Sequence, residues 1–134
     1  MKYIKERIIQ LPKIFDDRGN LSFIESERHI PFKIERAYWI YDVPGGEERG
    51  GHAFKHGHEF LIALSGSFDV HMDNGFQGKV YSLNRSYMGL YIPRLHWRSI
   101  KNFSTNSLCL VLASTDYDEE DYIYDYTTFL NSLK

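Results

Sequence analysis

Three residues of this 134-residue chain carry side chains whose types and spacing could do chemistry together: His52, Glu59 and His96. His52 stands two positions before Phe54 in Gly51-His52-Ala53-Phe54-Lys55, so on a strand the two side chains share one face. Glu59 follows a turn centred on His56-Gly57, which predicts a carboxylate facing the imidazole across a hairpin. An imidazole oriented by a carboxylate is equipment for moving protons near neutral pH. It is also part of a Zn or Fe(II) site, which needs at least three nitrogen or oxygen donors at about 2 Å. Phe54 offers no donor. His96, in Tyr91-Ile92-Pro93-Arg94-Leu95-His96-Trp97, could bring the third from a later strand, so a metal centre of His52, Glu59 and His96 stands open beside the metal-free reading.

These residues need strands to hold them, and the sequence supplies short β-type runs at close intervals. Strands are expected at Ile4–Ile9, Leu21–Glu25, Glu35–Tyr41, Gly51–His56, Glu59–Ser65, Ser67–Met72, Lys79–Leu83, Met88–Ile92, Trp97–Asn102 and Ser107–Ala113. Ser65-Gly66-Ser67 and Asp73-Asn74-Gly75 read as tight turns, the Asn-Gly pair favouring positive φ. The tail, Tyr117-Asp118-Glu119-Glu120-Asp121-Tyr122-Ile123-Tyr124-Asp125-Tyr126 and onward, changes to an acidic, aromatic character. It predicts one or two short helices covering a barrel edge.

Composition excludes several classes of function. At 43% hydrophobic and 25% charged, 1–134 reads as a single soluble domain. A formal net charge of -2 without a basic cluster gives nucleic acid no electrostatic footing. No apolar run approaches the roughly 18 residues of a membrane span, and Met1-Lys2-Tyr3-Ile4-Lys5-Glu6-Arg7 is too charged for a secretory signal. A cytoplasmic location is the expectation. Cys109, the only cysteine, sits in Leu108-Cys109-Leu110-Val111-Leu112 and reads as a buried small hydrophobe.

Gly46, His52, Glu59 and Gly66 fall on the spacing of the cupin metal-site motif, with Phe54 in place of one of its histidines. Longer motifs sharpen the resemblance. Asp17-Arg18-Gly19-Asn20-Leu21, Ile30-Pro31-Phe32-Lys33-Ile34-Glu35-Arg36-Ala37-Tyr38-Trp39-Ile40-Tyr41, Arg49-Gly50-Gly51-His52-Ala53-Phe54-Lys55, Gly89-Leu90-Tyr91-Ile92-Pro93, Trp97-Arg98 and Asp121-Tyr122-Ile123 follow one another in order. Over nearly its whole length the chain resembles the sugar-nucleotide 3,4-ketoisomerases, small cupins acting on dTDP-4-keto-6-deoxyglucose.

The resemblance implies an all-β, RmlC-like jelly-roll barrel with a short C-terminal helical segment. It also implies an isomerisation without redox cofactor or metal, in deoxyamino-sugar and surface-polysaccharide biosynthesis. A proton leaves carbon 3 beside the carbonyl at carbon 4, an enediol forms, and a proton returns to carbon 4. His52 is the expected proton carrier, with Glu59 and Tyr41 as further candidate catalytic residues. The family carries two histidines here, and Phe54 replaces the second; Glu59 stands where the family usually has Gln.

Pyrophosphate is best held by arginine forks and a nucleobase by a ring face. Arg18, Arg49, Lys55, Trp97 and Tyr38 are therefore the candidate substrate-binding residues. Arg49 could equally be a surface residue of a Gly-rich loop, and Arg18 a partner in a structural salt bridge. Strand parity in Tyr38-Trp39-Ile40-Tyr41 leaves open which face is inward. A homodimer is expected from the family and from the need to cover edge strands. Two other readings stay open: a non-catalytic sugar-nucleotide-binding cupin, and a metal-dependent cupin enzyme.

Overall fold

The computed structural model describes residues 4–134. Two five-stranded antiparallel sheets face each other. The first runs, edge to edge, β1 (Arg7–Gln10), β9 (Met88–Ile92), β6 (Glu59–Ser65), β11 (Leu108–Ala113) and β4 (Arg36–Tyr41). The second runs β12 (Tyr122–Ile123), β5 (Arg49–Phe54), β10 (Trp97–Lys101), β7 (Phe68–Asp73) and β8 (Gly78–Leu83). A small hairpin of β2 (Lys13–Ile14) and β3 (Leu21–Ser22) lies outside both, and the chain ends in α1 (Tyr126–Ser132). This is the expected all-β jelly roll with its short C-terminal helix.

Period-two patterning decides what each sheet buries. Along β7, Phe68, Val70 and Met72 are buried while Asp69, His71 and Asp73 are only partly so. The inner faces interleave these side chains with Leu61, Ala63, Leu90, Ile92, Ile100 and Val111 into one core. Cys109 belongs to it, fully buried, and burial pushes its thiol up to about 12, so it packs as a small hydrophobe. On the outer face of the first sheet, Phe60, Ile62, Tyr91 and Leu112 are covered by Leu11, Ile30 and Phe32. On the outer face of the second, Ala53 and Ile123 pack with Phe129 of α1, whose N-terminus is capped by the Asp125 carboxylate accepting from the Thr128 amide.

Two expectations change. The chain turning at His56-Gly57 does not form a hairpin, because β5 pairs with β10 and β12 while β6 pairs with β9 and β11. The turn carries the chain from one sheet to the other, so Glu59 faces His52 across the interior. The Asp121 carboxylate fixes this crossing by accepting from the backbone amides of His56 at 2.7 Å and Gly57 at 3.1 Å. The acidic tail is also not purely helical: Tyr122 and Ile123 form β12, pairing with Phe54 and Ala53. Without β12 the outer side of β5 would be a sheet edge, and the tail pairs its backbone groups.

Candidate active site

A cavity of about 400 Å3 opens between the sheets, with His52 on one wall and Tyr38 and Glu59 on the other. The placement of His52 begins with backbone. Arg98 of β10 pairs with His52, but Ile100 pairs with Arg49, so β5 carries one residue more than its partner over this stretch. That bulge is taken up by Gly50 and Gly51, at φ 103° and 44°. β-bulges re-aim side chains next to functional sites, and glycine is the residue that tolerates these angles. The consequence is a 2.7 Å contact between the Gly50 carbonyl oxygen and His52 Nδ1. A carbonyl only accepts, so Nδ1 carries the hydrogen, and Nε2 keeps its lone pair.

Among the described residues, no group hydrogen-bonds the buried Nε2 of His52. Burial, followed by the nearby Arg98 guanidinium, depresses the imidazole to about 3, so the ring is neutral and able to accept a proton.

Phe54 is 1% exposed and meets the imidazole edge-on, ring centroids 4.9 Å apart at 78°. It also lies 5.0 Å beneath the Arg98 guanidinium. The phenyl ring is thus a packed floor beneath two polar groups, with no capacity to carry protons.

Opposite, Glu59 accepts from Arg98 Nη1 at 2.7 Å through one oxygen and from the Tyr38 hydroxyl at 2.6 Å through the other. Arg36 Nη2 stands 3.9 Å from that second oxygen. Burial pushes the Glu59 carboxyl above its ordinary range, with Arg98, Tyr38 and Arg36 working against it. Burial beside Glu59 drives the Tyr38 hydroxyl well above the usual phenol range, so it stays protonated. Two guanidinium groups, Arg98 from the His52 sheet and Arg36 from the other, against one carboxylate leave this cluster suited to an anion developing in the cavity.

The remaining expected residues divide sharply. Arg49 lines the cavity, as Tyr38 does. Tyr41 does not: on β4 the residues of even number turn inward, leaving Tyr41 61% exposed on the outer face. Trp97 is corrected by the same parity, since Arg98 and Ile100 point inward and Trp97 packs outside against Tyr126 and Phe129. Arg18 is 90% exposed at its side chain and pairs with Asp16 at 2.9 Å, the salt bridge that was its alternative reading. Lys55 is exposed and outside the cavity lining; its carbonyl accepts from Arg94.

The alternative metal set does not assemble. His96 is buried beside Glu6, at 3.7 Å, and lines a separate cavity of about 440 Å3. Among the described residues no three His, Cys, Asp or Glu side chains converge as ligands.

Sequence reasoning assigned no role in the site to Arg98, Arg36, Tyr122 or Tyr124, all near or lining the cavity. Arg98 was open to discovery, because inward Ile100 two residues on fixes its face. Tyr122 was hidden by reading the tail as helix.

Known proteins resemble this arrangement throughout. A family model described as FdtA, WxcM-like, C-terminal matches residues 4–134. A TDP-4-oxo-6-deoxy-alpha-D-glucose-3,4-oxoisomerase of Aneurinibacillus thermoaerophilus is 40% identical over 126 residues, covering 94% of this chain and 91% of that protein. The crystal structure of QdtA, a sugar 3,4-ketoisomerase of Thermoanaerobacterium thermosaccharolyticum in complex with TDP, matches at a TM-score of 0.92 and 38% identity, over 95% of this chain and 93% of that one. QdtA has also been solved as a histidine-to-asparagine variant with TDP-4-keto-6-deoxyglucose. The rmlC epimerase of Mycobacterium tuberculosis, at a TM-score of 0.76 and 14% identity over 91% of this chain and 69% of that one, shares the fold alone. With its jelly roll, its cavity and these matches over nearly all of its length, the chain belongs to the FdtA, WxcM-like family of sugar-nucleotide 3,4-ketoisomerases.

Proposed function

We propose that this protein isomerises a thymidine-diphosphate-linked 4-keto-6-deoxyhexose to the 3-keto sugar, with His52 as the base at carbon 3. The observation that carries this reading is the buried Nε2 of His52, without a hydrogen-bond partner among the described residues, in a cavity where Arg98 stands beside it on the same sheet and Glu59, backed by Arg36, faces it from the other. The named activities of the oxoisomerase and of QdtA, and the substrate bound to the QdtA variant, support the substrate class.

Removal of the carbon 3 proton becomes easier as negative charge moves onto the carbonyl oxygen at carbon 4. The guanidinium groups stabilise that charge in a site walled from water. Imidazolium formed at His52 then returns a proton at carbon 4. Tyr38 and Glu59 position the sugar and Arg98, while Arg49, which also lines the cavity, is the candidate partner of a phosphate oxygen. Neither Tyr41, Trp97, Lys55 nor Arg18 has a part in this cavity.

A homodimer is part of the proposal. Trp39, 58% exposed, and Tyr41 lie on the outer face of edge strand β4, an apolar surface of the kind that a second copy covers across a twofold axis. A role in making deoxyamino sugars for surface polysaccharides follows from the resemblance.

Incubation of the purified protein with TDP-4-keto-6-deoxyglucose, followed by proton NMR, tests the activity. Appearance of a 3-keto sugar nucleotide is the expected result, and an unchanged spectrum would reject it.

A further inference from the structure

The isomerisation moves two hydrogens, one between carbons 3 and 4 and one between the oxygens they bear, and the neutral His52 ring can carry only one of them at a time. A second imidazole at position 54 is replaced by a phenyl ring that carries none. Resting on the isomerase reading, we propose that the hydroxyl of Tyr122 carries the second hydrogen, giving it to the oxygen on carbon 4 and taking one from the oxygen on carbon 3.

Among the described residues, the phenols lining the cavity are those of Tyr38, Tyr122 and Tyr124. Tyr38 is committed to Glu59, donating at 2.6 Å, and lies too far up in pKa to release its proton. Tyr124 is 57% exposed on the rim, and its phenol is raised by desolvation and by the neighbouring Glu119 carboxylate. Tyr122 differs from both. It is half-buried, and its ring centroid stands 5.2 Å from that of His52. Burial raises its phenol above the ordinary range and Glu59 and Glu119 add to that, but the Arg36 guanidinium beside its hydroxyl works against them and would stabilise a phenolate. Phe54 gains a function in this arrangement: it is the register partner of Tyr122 across β5 and β12, and the two rings touch at 4.5 Å, which holds the phenol beside the imidazole.

The bonds balance. His52 Nε2 takes the proton from carbon 3, the electrons of that bond form the carbon 3 to carbon 4 double bond, and the carbonyl electrons move to the carbon 4 oxygen, which takes the Tyr122 proton. The phenolate, held by Arg36, then removes the proton from the carbon 3 hydroxyl. Its oxygen electrons form the new carbonyl, and the double-bond electrons take the proton of the His52 imidazolium at carbon 4. Both side chains return to their starting state.

Tyr122→Phe tests this against wild-type enzyme, with TDP binding measured by calorimetry. The expected result is a kcat lower by about 100-fold, the scale of one lost acid-base group, with TDP affinity within about twofold of wild type. Fluorotyrosine introduced at position 122 keeps the hydroxyl and lowers its pKa, so it serves even where the Phe variant folds poorly. It should move the alkaline limb of the pH-rate profile acidward, whereas the same replacement at position 124 should leave the limb in place. A Tyr122→Phe enzyme within about threefold of wild-type kcat, or an alkaline limb unmoved by fluorination at position 122, would overturn the relay while leaving the isomerase reading intact. A wild-type protein that does not isomerise the sugar would overturn both.

Discussion

The carbonyl oxygen of Gly50 lies 2.7 Å from Nδ1 of His52, two residues along the same strand, and so decides which nitrogen of the ring can act as a base. The contact exists because β5 bulges at Gly50 and Gly51. A side chain at position 50 would hold φ 103° only under strain, with its Cβ 3.1 Å from Ser99 Cα and 3.3 Å from the Arg98 carbonyl oxygen. Gly50→Ala should therefore lower stability by about 1–3 kcal/mol in chemical denaturation. Activity should fall further than the loss of folded protein accounts for, because the imidazole is no longer held in one tautomer. An alanine variant with wild-type kcat would separate the bulge from the chemistry.

The depressed pKa of His52 sets a pH dependence. Its folded value of about 3 lies below the ordinary 6.5, so the neutral, basic ring persists as pH falls through 6. Accordingly kcat/KM should show no acid limb near 6.5. The same shift stabilises the fold above 6.5, and that contribution is lost as pH falls from there toward 3. Stability of the wild type should thus decline more steeply over that range than that of His52→Asn, measured by denaturant titration at several pH values. Equal slopes would contradict the burial of a neutral imidazole.

Glu59 and Arg98 form a buried pair, side chains 3% and 2% exposed. Removing one partner leaves the other charge uncompensated. Glu59→Gln should destabilise by about 3–5 kcal/mol, whereas the double variant Glu59→Gln with Arg98→Met should recover part of that loss. Additive losses from the two single changes would show that the pair is not coupled.

Trp39 on the outer face of β4 is the centre of the proposed dimer contact. Trp39→Glu should shift sedimentation from dimer to monomer with little effect on thermal unfolding of the protomer. A wild-type protein sedimenting as a monomer would reject the contact.

Much of the architecture was legible because period-two patterning is a local property. β6 and β9 coincide with their expected bounds, and several others differ by one residue. The site was legible only in part. Spacing put His52 and Phe54 on one inward face, as they are, yet could not say that Glu59 would reach them from the opposite sheet. That depends on Asp121, far along the chain, holding the crossing at His56-Gly57. Parity without a fixed reference left Tyr38 and Tyr41 indistinguishable, and the buried alternation of β4 resolves them. Trp97 misled because an aromatic side chain suits a ligand pocket and a helix-covered sheet face equally well, and here α1 covers it. Two-residue β12 carries too little pattern to be read at all.

The proton at carbon 3 of the bound sugar provides the most direct test. Its NMR signal should disappear at the catalytic rate when TDP-4-keto-6-deoxyglucose meets the wild-type protein. With His52→Asn it should persist, the loss slowed by at least about 100-fold, while calorimetry shows TDP still bound. Disappearance at the wild-type rate in the asparagine variant would contradict the assignment of His52 as the base.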